Sequence, residues 1–484
     1  MADIAARRAK LSGLAAERNV LEMQEQALLR ELALVRDSIR RNAIEAAEHS
    51  PVYTLPDDIL MDILELAYEH VPQDRRCALE RNPSIPTMVC RRWRRAALAL
   101  PRLWCCLHIG NSPELLALWL ARSKSLPLHI ICRGKDADAR QSGHAMTAAQ
   151  ATAWTGVYLR GIESLLLHAS RWQHFDIETS HSVFLQTVLN VIRLKVYPSL
   201  RYLAVWHAGH SSNLPLTVEL PECPALAELA LLRMPPSFSK FTPMRHLKEL
   251  YLGCCALSIS QLQQLSLAAP KLTELTMDEV TDSGSPDGAE NSVLFPHLKT
   301  LTFLLMDFED FFAWIDAPLL DTLTCDQAPL WADAPVVNAS APQLPALRTL
   351  RLPRCIVQPG YDGELFRRAP NIVDLDLGGC ADAFGAVLGA LVWSHDRLLP
   401  RLETITLTEP DADHHDVLLR LLERRHREER PLKEIRFGRD LYQMRLWKDH
   451  QLERLVKVTC IADEDDTREV EPETDGPSNG VAYW

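Results

Sequence analysis

The sequence predicts an α/β solenoid of short parallel strands alternating with helices, preceded by a long N-terminal helix and a small helical module. Three observations predict it. From residue 198 onward a proline-x-leucine-x-x-leucine-x-leucine pattern recurs at nearly constant spacing. Residues 4–48 contain no proline, one glycine and a rich supply of Ala, Leu, Glu and Arg. Between these two regions, LPDDILMDILELAYEH from Leu55 and VCRRWRRAALALPRLW from Val89 each carry an apolar stripe at helical spacing.

Length and composition bound the rest. At 484 residues the chain is too long for one ordinary compact core, so several domains or one elongated repeat domain are expected. With 47% hydrophobic and 24% charged residues it has the composition of a globular protein. The net charge of −12 repels polyphosphate and the basic runs are local, so nucleic acid is not an expected partner. The N-terminus lacks the apolar core of a secretory signal and no run of 18 apolar residues occurs, so no membrane is expected and an intracellular location, cytoplasmic or nuclear, is. Twelve cysteines, with two adjacent pairs (Cys105–Cys106, Cys254–Cys255) and no CxxC, read as buried thiols in a reducing compartment rather than a disulfide framework or zinc site.

The first segment, 1–50, reads as one helix of strong helix formers. Leu14, Leu21, Leu28 and Val35 recur every seven residues, and the companion register carries Leu11, Arg18, Glu25, Leu32 and Ile39. One seam position is apolar and the other carries two charges. A coiled coil, and so a homodimer through this helix, and a solvated helix with one apolar edge both fit.

Pro51 ends that helix and the next begins at YTLPDDIL. Thr54 is placed to cap, Pro56 stands in the first turn, and Asp57 and Asp58 complement the positive helix end. Ile59, Leu60, Ile63, Leu64 and Ala67 then form one apolar face. After a polar spacer from Val71 to Ile85, a further helix carries Val89, Trp93, Ala96, Ala97 and Leu100 until Pro101 closes it. About 55 residues bury too little to hide both stripes internally, which favours docking on another molecule.

The repeats begin with PSLRYLAV and run through PALAELAL, RHLKELYL, PKLTELTM, PHLKTLTF, PLLDTLTC, PALRTLRL, PNIVDLDL and PRLETITL to PLKEIRF. Their first apolar positions are Leu200, Leu226, Leu247, Leu272, Leu298, Leu320, Leu347, Ile372, Leu402 and Leu432. The gaps of 26, 21, 25, 26, 22, 27, 25, 30 and 30 residues are those of leucine-rich repeats, lengthening at the end. Each unit predicts a short strand with leucines inward and variable residues outward, followed by a helix or irregular return. Helical returns are expected at SISQLQQLSLAAP, YDGELFRRAP, ADAFGAVLGALVWSHDRLLP and DADHHDVLLRLLERRHREERP, and IESLLL at Ile162 is a candidate divergent unit. Cys255, Cys355 and Cys380 fill the turn position of their repeats, which assigns them to structure rather than reactivity. LWCCLHIG and SLPLHIIC read as strands around the helix SPELLALWLARS, starting and capping the solenoid. TDSGSPDGAENS reads as a loop and ADEDDTREVEPETDGPSNG as an acidic disordered tail.

The LPDDILMDIL, VCRRWR and LPRLW blocks, in that order, resemble an F-box, a three-helix motif. The resemblance implies binding to the Skp-type adaptor of a cullin–RING ubiquitin ligase, with Leu55, Pro56, Ile59, Leu60, Ile63, Leu64, Val89, Cys90 and Trp93 facing the adaptor. Its spacer is longer than that of a compact F-box. An F-box followed by leucine-rich repeats is similar in layout to the large F-box families of mushroom-forming (basidiomycete) fungi, over roughly residues 1 to 440. The implied organisation is a long helix at 1–50, F-box at 51–107, solenoid start and cap at 108–197, leucine-rich repeats at 198–458 and an acidic tail at 459–484. The implied role is substrate recognition within an SCF-type ligase, where the solenoid holds a protein target and the chemistry of ubiquitin transfer belongs to the partners.

The arginines of RRWRR read as solubilising the outer face of their helix, with Trp93 turned the other way. No phosphate-binding glycine loop, G-x-S-x-G or H-E-x-x-H occurs, so neither catalysis nor a cofactor is expected. Asp411 to Asp416 (DADHHD) has metal-binding residue types, but adjacent histidines opening a helix point to different faces, and acids suit a helix start. A target is expected on the concave strand face, at Tyr202, Glu228, Glu249, Tyr251, Glu274, Arg351, Asp374, Asp376 and Arg436. Acids dominate the middle of that set, which predicts a target with a basic patch. Two other readings fit the same residues: a non-catalytic leucine-rich-repeat scaffold that self-associates through its N-terminal helix, and an F-box protein that holds the adaptor without ubiquitylating a target.

Overall fold

The structure is a computed structural model. It describes residues 2–48, 55–69, 84–110, 112–133, 148–208, 219–234, 243–282, 292–306, 314–327, 329–330, 343–357, 363–379, 381–394, 397–408, 415–438 and 450–460. Thr54, the spacer from 70 to 83, the loop at 283–291, residues 411–414, Cys380 and the tail from 461 lie outside the described residues. The chain divides into two compact units, Met1–Trp104 with Arg122–Lys124, and Cys105–Ala121 with Ser125–Trp484.

In the first unit, α1 is a single helix over Ala2–Glu48, and every side chain described in it is exposed. Helix α2 spans Asp57–Glu69, α3 Ser84–Val89 and α4 Arg91–Ala99, and a 3₁₀ turn follows at Pro101–Trp104. The continuous helix expected from Val89 to Leu100 is broken. Cys90 is extended (φ −156°, ψ 174°), and its Sγ accepts from the Trp93 backbone N–H, so it caps a fresh helix. Leu60, Leu64, Ala96, Ala97, Leu103 and Trp104 form the core of this unit, and the Trp104 indole N–H donates to the Ala97 carbonyl at 3.0 Å.

The second unit is built on a 14-stranded parallel sheet in simple sequential order. The strands are β1 (Cys106–His108), β2 (Leu128–Arg133), β3 (Trp172–Thr179), β4 (Tyr202–His207), β5 (Glu228–Leu232), β6 (Glu249–Gly253) and β7 (Glu274–Asp278). They continue with β8 (Thr300–Leu304), β9 (Thr322–Asp326), β10 (Thr349–Arg351), β11 (Asp374–Asp376), β12 (Thr404–Leu407), β13 (Glu434–Phe437) and β14 (Lys457–Cys460). Each strand is joined to the next by a parallel ladder, the arrangement that a stack of βα-like units produces.

The proline of the repeat acts at a turn. In the repeats from Leu200 to Leu402 the N–H of the first apolar residue donates to the carbonyl three positions back, as in Leu226 to Cys223 (3.1 Å) and Leu320 to Ala317 (3.1 Å). Proline, as in Pro224 and Pro318, then stands second in a four-residue turn, where its fixed φ is favourable. The residue opening that turn is itself buried in each case, from Tyr197 and Cys223 to Leu344 and Leu399. The next residue's N–H crosses to the preceding repeat, as in Ala227 to Arg201 (2.8 Å) and Thr273 to Lys248 (2.8 Å), and starts the ladder.

Alternation then sorts the side chains. Leu203, Leu229, Leu250, Leu275, Leu301, Leu323, Leu350, Leu375, Ile405 and Ile435 are successive register partners, and none is more than 2% exposed. A second buried row runs through Val205, Leu231, Leu252, Met277, Phe303 and Cys325. Several strands are followed directly by a residue with positive φ: Arg233, Cys254, Glu279, Leu305 and Gln327. Their recurrence one position past the strand marks a repeated left-handed turn that redirects the chain away from the sheet.

Returns between strands are helical at α5 (Pro113–Arg122), α6 (Ala148–Leu166), α7 (Ser182–Ile192), α8 (Ile259–Ala268), α9 (Glu364–Arg368), α10 (Ala381–Trp393), α11 (His415–Arg427) and α12 (His450–Leu455). Helix α8 opens on a capping box, with Ser258 and Gln261 bonded reciprocally to each other's backbone N–H. Elsewhere short parallel pairs stand in the return, such as Val293–Leu294 with Ile315–Asp316. Two expectations are corrected here. Ile162 lies inside α6, because IESLLL continues a helical run, and the strand of that unit is β3. The sheet also extends past the last expected repeat to β14.

Candidate docking surfaces

Two surfaces carry the residues singled out in the sequence. The first lies on α2, α3 and α4. Arg92 holds the start of α2 against α4: its guanidinium, 14% exposed, bonds the Leu55 carbonyl and the Asp57 carboxylate (2.7 Å). Arg102 bonds Glu65, and the Arg94 guanidinium donates to the Thr87 carbonyl at 2.8 Å. These arginines therefore fix the helices in place as well as solvating them. Sequence reasoning gave the RRWRR arginines only the second role and Arg102 none.

With the helices so held, the apolar side chains divide. Leu60 (0% exposed) and Leu64 (6%) point into the core. They were expected to face a partner, and the structure corrects this: both side chains are buried together with Ala96, Ala97 and Leu103 in the core of the unit. Ile59 (42%), Ile63 (41%) and Leu66 are left along a separate edge of α2, and Ile85, Met88 (70%) and Val89 along α3. Pro56 is exposed, while Leu55, Cys90 and Trp93 are half-buried. Leu66, Ile85 and Met88 were not in the expected set. Ile85, Met88 and Val89 stand at i, i+3 and i+4 on SIPTMV, a legible spacing, but Ile85 was read as the end of the polar spacer and the short helix α3 was not expected.

The second surface is the face of the sheet opposite its buried rows. Tyr202, Glu228, Glu249 and Glu274 are register partners in one row, followed by Thr300, Thr322, Thr349 and Asp374. Ala204, Ala230, Tyr251, Thr276, Thr302, Thr324, Arg351, Asp376, Thr406 and Arg436 form the neighbouring row. All nine expected target-facing residues thus fall on this face, and none of them is buried.

The face is zoned. At strands β3 to β7 it is aromatic and acidic. The His174 and Tyr202 rings stack at 4.0 Å, Trp206 packs on Tyr251 at 5.2 Å, and the Tyr251 hydroxyl donates to Asp278 Oδ2 at 2.5 Å. Beside them, partial burial and then the flanking Glu228 and Glu274 carboxylates push the Glu249 carboxyl above its ordinary range, against Lys248. Strands β8 and β9 contribute uncharged threonines. At β10 to β13 the acids are compensated: Arg436 reaches Asp374 at 3.7 Å and Glu434 at 3.0 Å, and Glu434 also accepts from Lys457 (3.0 Å) and Thr459 (3.1 Å). Burial raises Asp374 and Asp376, while Arg351 and Arg436 act the other way on both. Glu228, Glu249 and Glu274, register partners on adjacent strands, thus form a run of like charge on this part of the face.

The repeat cysteines are packing groups. Cys255 and Cys355 are 7% and 3% exposed, burial pushes the Cys255 thiol up to about 12, and the Cys355 thiol donates to the Cys325 carbonyl at 2.8 Å. Among the described residues no group of three His, Cys, Asp or Glu side chains could hold a metal ion, and no helix is long and apolar enough to cross a membrane. No protein-family model matches the chain, and no curated protein matches it.

Proposed function

We propose that this chain is the substrate-recognition subunit of an SCF-type cullin–RING ubiquitin ligase, with the α2–α4 module binding a Skp-type adaptor and the open sheet face binding a protein target. The observation that carries the reading is the division of apolar side chains in the module. Its core is filled by Leu60, Leu64, Ala96, Ala97 and Leu103, and yet Ile59, Ile63, Ile85, Met88 and Val89 remain exposed, which is the surface a stable partner would cover. The LP, VCRRWR and LPRLW blocks place that surface in a sequence context similar to an F-box. An adapter of this kind needs no reaction centre of its own, since it brings a target to the ubiquitin-charged enzyme. The test is co-expression of the full chain with a Skp-type adaptor and purification on a tag carried by the adaptor. A stoichiometric complex is expected. A folded chain that fails to co-purify would leave a leucine-rich-repeat scaffold instead.

The zoning of the sheet face narrows the target. Three adjacent glutamates beside Tyr202, Tyr251 and Trp206 suit a segment bearing lysine or arginine, whose charge meets the carboxylates and whose stem lies on the rings. Affinity for a target captured by the solenoid is expected to fall as salt rises from 50 to 300 mM, and Glu249→Gln with Glu274→Gln should flatten that dependence. The sign with pH follows from the raised Glu249 carboxyl: acidification neutralises it from above the ordinary 4.5, so a cationic target should weaken as pH falls toward that range. Titration of binding at two salt concentrations checks this, and an unchanged affinity in the double variant would remove the glutamate row from the interface.

A further inference from the structure

The long N-terminal helix carries an apolar seam of its own. It covers 47 residues, and its described side chains are all exposed, among them Leu14 (53%), Leu21 (59%), Leu28 (65%) and Leu32 (45%). Isolated helices in water draw little stability from propensity alone, so an apolar seam of this length calls for a covering surface. The seven-residue recurrence of Leu14, Leu21, Leu28 and Val35 is the period of a two-helix coiled coil, and the companion positions are Arg18, Glu25, Leu32 and Ile39.

The two charges decide between orientations. In a parallel, in-register pair, Arg18 would meet the partner's Arg18 and Glu25 the partner's Glu25, two like-charge contacts inside the seam. Reversing one helix removes both. Leu14 then lies opposite the partner's Leu32, Arg18 opposite the partner's Leu28 and Leu21 opposite the partner's Glu25, with each contact repeated by the two-fold axis. Arg18 is then one layer from the partner's Glu25, so opposite charges adjoin across the seam. Arg18 now bonds Glu22 on its own helix at 2.8 Å, an exposed i, i+4 contact of small value. A parallel pair would also set Glu31 near the partner's Arg36 on its flank, and exposed pairs of that kind contribute little.

We propose that α1 associates with a second copy of itself as an antiparallel coiled coil centred on residues 14–32. The inference does not depend on the ligase reading. In this arrangement the two copies of residue 48 leave from opposite ends, about 75 Å apart at 1.5 Å per residue, whereas in a parallel pair they leave side by side.

The test uses the full chain. Light scattering on the eluted protein should report a dimer, and Leu32→Glu should raise its dissociation constant more than tenfold. Orientation is read by replacing Leu14 with p-benzoylphenylalanine, irradiating, and digesting with trypsin. Expected is a cross-link between peptide 11–18 and peptide 31–36. A cross-link of 11–18 to a second 11–18 would overturn the orientation. A monomer at high micromolar concentration, or cross-links only to residues 55–104 or to the solenoid, would overturn the association itself.

Discussion

Leu60→Ala is expected to destabilise the helical module by about 2–5 kcal/mol, the range for removing a fully buried leucine, because Leu60 is 0% exposed at the centre of α2. Its neighbour should behave in the opposite way. Ile59→Ala combined with Met88→Ala removes two side chains that are 42% and 70% exposed, so stability should change by about 0.5 kcal/mol or less at each site. Binding to a Skp-type adaptor should nonetheless fall more than about a hundredfold if both anchor the interface, since truncating a well-packed anchor costs about 2 kcal/mol or more. Hydrogen exchange over residues 57–69 and 91–104 separates the two effects: lost protection for Leu60→Ala, retained protection with lost co-purification for the pair. An Ile59/Met88 variant that co-purifies as well as the parent would take these side chains out of the adaptor surface.

The contrast between Leu60 and Ile59 also shows how far the sequence could be read. Both lie on one apolar stripe in LPDDILMDIL, and helical periodicity cannot say which edge of a broad stripe is core and which is left over. That depends on where Ala96, Ala97 and Leu103 come to rest. The sheet was far more legible, because a two-residue period allows only two faces and a repeat of 21 to 30 residues samples the same environment many times. Every first leucine or isoleucine from Leu200 to Leu432 is buried, and the variable positions between fall on the opposite face as expected. Legibility fails at β3 and β14, which lack the proline-x-leucine signature, and at Ile162, whose leucine-rich IESLLL lies within a helix.

Charged residues were the other blind spot. In the helical return DADHHDVLLRLLERRHREERP the sequence assigns no role to the arginines, yet Arg425 is 6% exposed and donates to the carbonyls of Leu399 (3.2 Å) and Leu402 (2.9 Å) at the turn before β12. Burial lowers its pKa to about 10, which still leaves it charged at neutral pH. Arg92 does the same for the Leu55 carbonyl in the module. Arginine combines a long apolar stem with several donors, so a sequence position marked only as charged can bond backbone carbonyls that the repeat or helix end leaves over.

Phe303→Ala is expected to cost about 3–5 kcal/mol, the range for removing a fully buried aromatic ring. The ring is 0% exposed, and its strand β8 lies between β7 and β9, so the cavity would open between the aromatic–acidic zone and the salt-bridged zone. A repeat stack is held by interfaces between neighbouring units, so weakening one middle interface can uncouple the halves. Urea unfolding of the parent should therefore show the solenoid melting as a cooperative block, and the variant should split that transition or shift it to lower urea. Function would follow the same logic. A target that spans Glu249 and Arg436 needs both zones at a fixed separation, so it should lose affinity in Phe303→Ala even though no contacting side chain has changed. A target read only by the glutamate row should lose much less. Measuring both unfolding and target affinity in this one variant thus tells how much of the open face a bound partner uses.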